Sequence, residues 1–186
     1  MKKKILMALA LIGCAIVLVA GTIAGTVAYL TAQTQAITNT FTVGDIEITL
    51  DETTTNYKIV PGTEIAKNPK ATVLANSEAC YLFVKIVEGN NTFDTNKKFV
   101  TYEIADGWTA LTGVDGVYYR AVDPKDSNQE FAVLNGDKVV CNSNADSDDL
   151  EAAETNKPTL AFTAYAIQKA GFTDEVAAWN ASGFGG

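Results

Sequence analysis

The sequence predicts an all-β protein, an antiparallel jelly-roll-like β-sandwich with one or two short helices, preceded by an N-terminal signal helix. Three observations support this prediction. Apolar and polar residues alternate with a period of two in several segments, which is typical of strands. Asp-Gly and Asn-Gly pairs near such segments favour tight turns. Helical patterns are short and lie close to the C-terminus, so strands must form most of the core.

The chain begins with a lysine-rich start and then an apolar segment, residues 5–30, that carries no charge. This pattern is typical of a signal peptide, and small residues precede a plausible cleavage point between Ala28 and Tyr29. We therefore expect residues 1–28 to be a signal peptide and the mature protein to be secreted. The apolar segment is also long enough to span a bilayer, so a retained membrane anchor is the alternative.

Three regions follow the predicted signal peptide. Residues 29–40 form an uncharged N-terminal arm, residues 41–179 the β-sandwich domain and residues 180–186 a flexible, glycine-rich tail. The strongest strand is Ala79–Val87, which has apolar residues on both of its faces. Such a strand is expected at the centre of a sheet rather than at its edge.

The other strands follow from the same alternation. They are predicted at Ile46–Leu50, Phe99–Ala105, Val117–Val122, Phe131–Leu134, Lys138–Cys141 and Thr159–Gln168. Asp115 and Gly116 precede the third of these strands, and Asn135 and Gly136 join the fourth to the fifth, so each pair predicts a hairpin. Short helices are expected at Asp148–Glu154, beginning with a capping box at Asp148, and after Thr173.

The charge of the chain argues against nucleic acid as a partner. The net charge is −8, and without residues 1–28 the chain keeps 11 basic and 22 acidic residues, a net charge of −11. Because nucleic-acid binding requires a basic surface, we expect no nucleic-acid partner. The acidity is typical of a soluble extracellular surface.

The chain has no histidine, which removes the usual zinc ligands and the commonest general base. We therefore expect no enzymatic activity, no catalytic or metal-binding residues and no cofactor. The acidic run from Asn142 to Glu151 begins like a calcium loop, but Ser147 and Ala153 stand where an EF-hand has glycine and glutamate. This departure favours a solvated turn before a helix.

Two cysteines, Cys80 and Cys141, lie on predicted strands. Export permits a disulfide between them, and the alternative is a pair of buried thiols that pack as small apolar groups. A third cysteine, Cys14, ends a lipobox-like sequence, but the apolar run before it is short. We interpret Cys14 as part of the signal segment.

Several stretches resemble one family of exported proteins. They are Gly25–Thr31, Asn39–Gly44, Pro61–Gly62 with Lys67–Pro69, Phe162–Gln168 and Ala177–Trp179. Together with the lysine-rich start, they resemble the TasA and camelysin family of Gram-positive proteins, whose signal segments are cut by a SipW-type peptidase. The resemblance implies a secreted jelly-roll domain that polymerises into biofilm-matrix fibres. The camelysin branch implies a casein-cleaving metalloprotease, for which this chain has no histidine ligand.

The leading hypothesis is a structural subunit of cell-surface or matrix fibres that donates its N-terminal arm to the next copy. One small apolar face of the arm would form the donor strand, with Leu30, Ala32, Thr34 and Ala36. The expected partners are a SipW-type signal peptidase, other copies of the chain and accessory matrix proteins. The alternatives are a monomeric or membrane-tethered adhesin, with a binding surface formed by aromatic residues or loops, and a camelysin-like protease.

Overall fold

The computed structural model describes residues 44–53, 57–94 and 97–184. The predicted signal peptide, its cleavage point at Ala28 and Tyr29, and the arm at residues 29–40 lie outside these ranges. Where the chain is described, no helix has the length and apolar character needed to cross a membrane.

Within these ranges the chain is predominantly β, with antiparallel sheets and two helices, as the sequence predicts for the fold class. The strands are β1 (Ile48–Asp51), β2 (Glu64–Ala66), β3 (Lys70–Val73), β4 (Cys80–Gly89), β5 (Thr92–Phe93), β6 (Lys97–Lys98), β7 (Val100–Thr101), β8 (Thr109–Ala110), β9 (Val117–Val122), β10 (Gln129–Ala132), β11 (Lys138–Cys141) and β12 (Thr159–Gln168). The helices are α1 (Ser147–Thr155) and α2 (Glu175–Ser182).

The largest sheet has the strand order β12-β4-β9-β8. β4 lies inside it, which confirms the predicted central strand. Side chains of β4 alternate between the two faces of the sheet, and both sets are buried: Leu82 and Val84 on one face, Tyr81 and Phe83 on the other. Because both faces are apolar, both need a covering layer.

One face is covered by a second layer built from the sheets β1-β3-β10 and β2-β11-β7. The two layers enclose a single apolar cluster, which is consistent with the predicted sandwich. Its buried members include Leu82, Val84, Ile86 and Val122 from the first sheet and Ala71, Val73, Leu134 and Val139 from the second layer. Trp108 belongs to this cluster and donates a hydrogen bond from Nε1 to the carbonyl oxygen of Ala132, at 2.8 Å.

The hairpin predicted at Asn135 and Gly136 is wrong. β10 pairs with β3, whereas β11 pairs with β2 and β7, so the two strands are not partners. The segment Asn135–Asp137 forms a single 3-10 turn in which Gly136 and Asp137 have positive φ angles of 65° and 51°. β10 runs antiparallel to β3, and β11 runs antiparallel to β2, the strand that precedes β3 in the chain. The turn therefore joins two strands with separate partners and does not fold them into a hairpin.

The opposite face of the first sheet is covered by α2. The ring of Trp179 packs 5.1 Å from that of Phe83 and 5.7 Å from that of Tyr165. The observed cap is Asp174, one residue later than the predicted cap at Thr173. The Asp174 carboxylate accepts the N–H of Ala177.

Residues 180–184, assigned from the sequence to a flexible tail, instead complete α2 and pack on the sheet. Gly183 ends the helix in the left-handed conformation, with φ of 72°. The ring of Phe184 stacks on that of Tyr165, with 4.7 Å between the centroids. The small residues and glycines in this segment therefore mark the end of a helix and not a free tail.

Replacing Trp179 tests the contribution of α2 to stability. We expect Trp179→Ala to lower the free energy of unfolding by about 3–5 kcal/mol, because the indole fills the space between helix and sheet and is 3% exposed. Urea unfolding followed by far-UV circular dichroism measures the loss. Val60→Ala is the control, since Val60 is 51% exposed, and should change stability by no more than about 0.5 kcal/mol. A loss below about 1 kcal/mol for Trp179→Ala would contradict the packing.

Candidate functional site

The outer edge of β12 is the longest strand edge that lacks a partner among the described strands. β12 pairs with β4 on one side over ten residues. The N–H of Lys169 donates to the carbonyl oxygen of Ala79, which continues this ladder and sets its phase. Odd-numbered residues therefore bond to β4, and the main-chain groups of even-numbered residues from Leu160 to Gln168 point away from it.

The side chains at this edge form an apolar floor. Leu160, Phe162, Ala164 and Ala166 turn inward and pack against the core between the layers. β1, at the edge of the second layer, lies beside β12 with Cα atoms within 8 Å. An added strand would therefore meet main-chain donors and acceptors together with apolar side chains.

The predicted donor residues are not part of the described structure. Leu30, Ala32, Thr34 and Ala36 lie outside the described ranges, as does the cleavage point. The assignment of these four residues to a donor strand stays a prediction from the sequence.

Acidic residues that precede and begin α1 cap the N-terminus of this helix. The Asp146 carboxylate accepts the N–H groups of Asp148 and Asp149, and the Asp149 carboxylate accepts the N–H of Asp146. This capping box begins two residues before the predicted one at Asp148. In the part of the chain that the structure covers, no three acidic, cysteine or histidine side chains converge where a metal ion could bind.

Cys80 and Cys141 are free thiols and both are buried, so the structure has the thiol alternative rather than the disulfide. Their separation follows from the strand register. Cys80 begins β4, whereas Cys141 pairs with Val100, whose N–H bonds to Asn91 just beyond the other end of β4. Ten strand residues span about 30 Å, far more than a disulfide can bridge.

At the C-terminal end of β4 lies a polar cluster around Glu88 that was not predicted from the sequence. Its carboxylate accepts hydrogen bonds from Lys98 at 2.7 Å, from Tyr102 at 3.0 Å and from Asn91 at 2.8 Å. Partial burial raises the pKa of Glu88, but the hydrogen bonds from Lys98, Asn91 and Tyr102 outweigh it and hold the pKa below its ordinary value. Burial, and then the bond to Glu88, raise the pKa of Tyr102.

The aromatic side chains of the strands are mostly packed rather than displayed. Tyr81, Phe83, Phe99 and Trp108 are all buried. These four residues therefore belong to the core and not to an exposed binding surface. A hollow of about 330 Å³ lies between α1 and the β5–β6 hairpin, lined by Thr92, Phe93, Asp94, Phe99, Asp149 and Asn156 among others.

Two cations are held between aromatic rings inside the fold, and neither was singled out from the sequence. Lys67 lies 4.8 Å from the centroid of the Tyr57 ring and 5.0 Å from that of Phe162. Arg120 lies between Trp108 and Phe131. The alternation in β9 places Arg120 on the same face as its neighbours Tyr118 and Val122, which pack in the core. That spacing is the signal from which its inward position follows.

Comparisons of the chain with protein-family models, with curated proteins and with solved structures give no match.

Thiol reactivity tests the state of the two buried cysteines. In a Cys14→Ser background, we expect Ellman's reagent at pH 8 to leave both thiols of the native protein unmodified for minutes. Burial shields them and raises the pKa of Cys80 to about 11. In guanidinium chloride, two thiols should react, and one in the additional Cys80→Ser variant. A denatured protein without reactive thiols would show that the disulfide exists.

The Glu88 cluster predicts a pH-dependent stability. Because the folded-state pKa of Glu88 is depressed, its contribution is present above the ordinary value of 4.5 and is lost as pH falls through the folded-state pKa. We expect Glu88→Gln to be less stable than the wild type at pH 7, by about 1 kcal/mol or less after solvent screening, and the difference to vanish in acid.

Urea unfolding at several pH values between 7 and about 3 measures this difference. Glu130→Gln is the matched control, because the Glu130 carboxylate is exposed and 3.8 Å from Lys70. The control should stay within about 0.5 kcal/mol of the wild type throughout. A constant difference for Glu88→Gln across the pH range would contradict the depressed pKa.

Proposed function

We propose that the protein is a secreted structural subunit of cell-surface or biofilm-matrix fibres, rather than an enzyme. In this proposal the two β layers follow jelly-roll topology, and a SipW-type peptidase cuts between Ala28 and Tyr29. The freed arm, residues 29–40, adds as a strand to the next copy. Accessory matrix proteins complete the assembly. The observation that carries the proposal is the ten-residue outer edge of β12.

This edge lacks the features with which proteins usually protect sheet edges. Edge strands are commonly short, bulged, charged or interrupted by proline. β12 is long, pairs with β4 in continuous register, and has neither a charged residue nor a proline between Thr159 and Gln168. Five of its residues direct main-chain groups outward. A strand added there would satisfy these groups and cover the apolar floor.

The dimensions of the arm match those of the edge. A strand rises about 3.3 Å per residue, so the arm spans about 40 Å when extended and β12 about 33 Å. The arm has no charged side chain, so apart from the ammonium that cleavage leaves on Tyr29, inserting it desolvates no ion. Its alternating small residues, Leu30, Ala32, Thr34 and Ala36, would face the apolar floor.

Two complementary variants of the chain that starts at Tyr29 test this mechanism. Deletion of residues 29–40 removes the donor, and Ala164→Pro removes an outward N–H from the acceptor edge without removing a bond to β4. We expect each variant to stay folded and monomeric, while the wild type forms fibres visible by electron microscopy. Mixing the two should give discrete dimers, because one still accepts a strand and the other still donates one.

Ala164→Ser is the control for the acceptor, since it keeps the N–H and a small side chain and should polymerise normally. Circular dichroism establishes that every variant is folded. Fibres formed by the arm-deleted protein would rule out donor-strand assembly. Fibres formed by Ala164→Pro would show that the arm binds somewhere other than β12.

A further inference from the structure

Arg120 is the only arginine of the chain, and its side chain connects the two β layers. Its guanidinium carbon lies 3.8 Å from the centroid of the Phe131 ring and 5.3 Å from that of Trp108. Arg120 belongs to β9 in the first sheet and Phe131 to β10 in the second layer. Trp108 and Phe131 together form an aromatic clamp that fixes the guanidinium by stacking and cation–π attraction.

The clamp holds a cation whose hydrogen-bonding capacity is unused. Across the described ranges, Arg120 has no ion pair, and its Nε is buried without a hydrogen-bond partner. Arg120 as a whole is only partly buried, and its terminal nitrogens are not among the described side-chain atoms that are buried without a partner. Burial lowers the pKa of Arg120, and the two rings are the partners of its charge among the described residues.

Lys67 shows how this protein compensates a comparable cation. Lys67 also lies between two rings, but its Nζ is 2.6 Å from the Glu52 carboxylate, which in turn accepts a hydrogen bond from Tyr57. Arg120 has the aromatic partners without the carboxylate. A carboxylate at Arg120 would give it the same set of partners as Lys67.

The backbone of Gly107 lies close to one terminal nitrogen of Arg120. Gly107 has a φ of +84°, and a Cβ at that position would lie 2.9 Å from Nη2. A residue with a side chain would therefore crowd the guanidinium. Glycine keeps this end of the fork open.

We propose that Arg120 is a receptor for a carboxylate group supplied from outside the chain and held end-on by Nη1 and Nη2. The planar fork matches the two oxygens of a carboxylate, and the clamp orients the fork in advance. The carboxylate comes either from a small organic acid or from an acidic side chain of a second copy, which carries 22 such residues. The site is separate from the β12 edge and does not depend on the proposed fibre assembly.

The single arginine makes this proposal directly measurable, because the full-length protein gives only one arginine Nε–H signal by nitrogen-15 NMR. The protein is kept in solution with a nonionic detergent. We expect sodium acetate at pH 7 to shift this signal to a saturating end point. Sodium chloride at equal ionic strength should leave it in place.

Variants and dilution complete the test. Arg120→Lys keeps the charge but loses the fork, and should weaken acetate binding about tenfold or more, as detected by the indole signal of Trp108. Lys169→Met, which removes an exposed charge, should bind like the wild type. If the Arg120 signal shifts with protein concentration when no acetate is present, and acetate abolishes this shift, the carboxylate comes from a second copy. If the signal does not depend on protein concentration, the site binds small acids.

An Arg120 signal that responds equally and without saturation to both salts would overturn the proposal, because Arg120 would then be solvated only. The comparison of salts uses the wild-type protein, so it decides the question even if Arg120→Lys fails to fold.

Discussion

The rest of the structure depends on β4, a strand that is buried on both faces. Its ten residues supply Leu82 and Val84 to the core between the β layers and Tyr81 and Phe83 to the contact with α2. Fully burying side chains of this size stabilises the fold by about 1.5–3 kcal/mol each. A strand with two apolar faces cannot remain at a solvent-exposed position, so the second layer and α2 are both required to cover it.

Periodic segments could be predicted from the sequence because their signal is local. The structure contains β9, β11 and β12 with the predicted limits, and β4 within two residues of them. The partners of these strands could not be predicted in the same way. Asn135 and Gly136 carry the residue types of a hairpin, yet Asp137 extends the positive-φ segment and the flanking strands find separate partners. Tertiary pairing therefore overrides the turn preference.

The two candidate sites also differ in how far they could be predicted from the sequence. The outward groups of β12 follow from the predicted strand once its place at the edge is known. The aromatic clamp depends on residues 108, 120 and 131, which three separate elements bring together. Alternation places Arg120 on the inner face, but no local pattern specifies which rings stack on it or whether a carboxylate lies nearby. Such information exists only in the topology.

The order β12-β4-β9-β8 also separates the two candidate contact sites. The edge of β12 without a partner among the described strands and Arg120 on β9 are two strands apart, with the largely buried strand β4 between them. In the two proposals, main-chain groups would bind at the first site and a charged fork at the second, so salt would screen only the second strongly. A subunit with both sites could extend a chain of strands at one edge while a carboxylate contact near the other edge responds to ionic strength. The two contacts would then respond differently to salt.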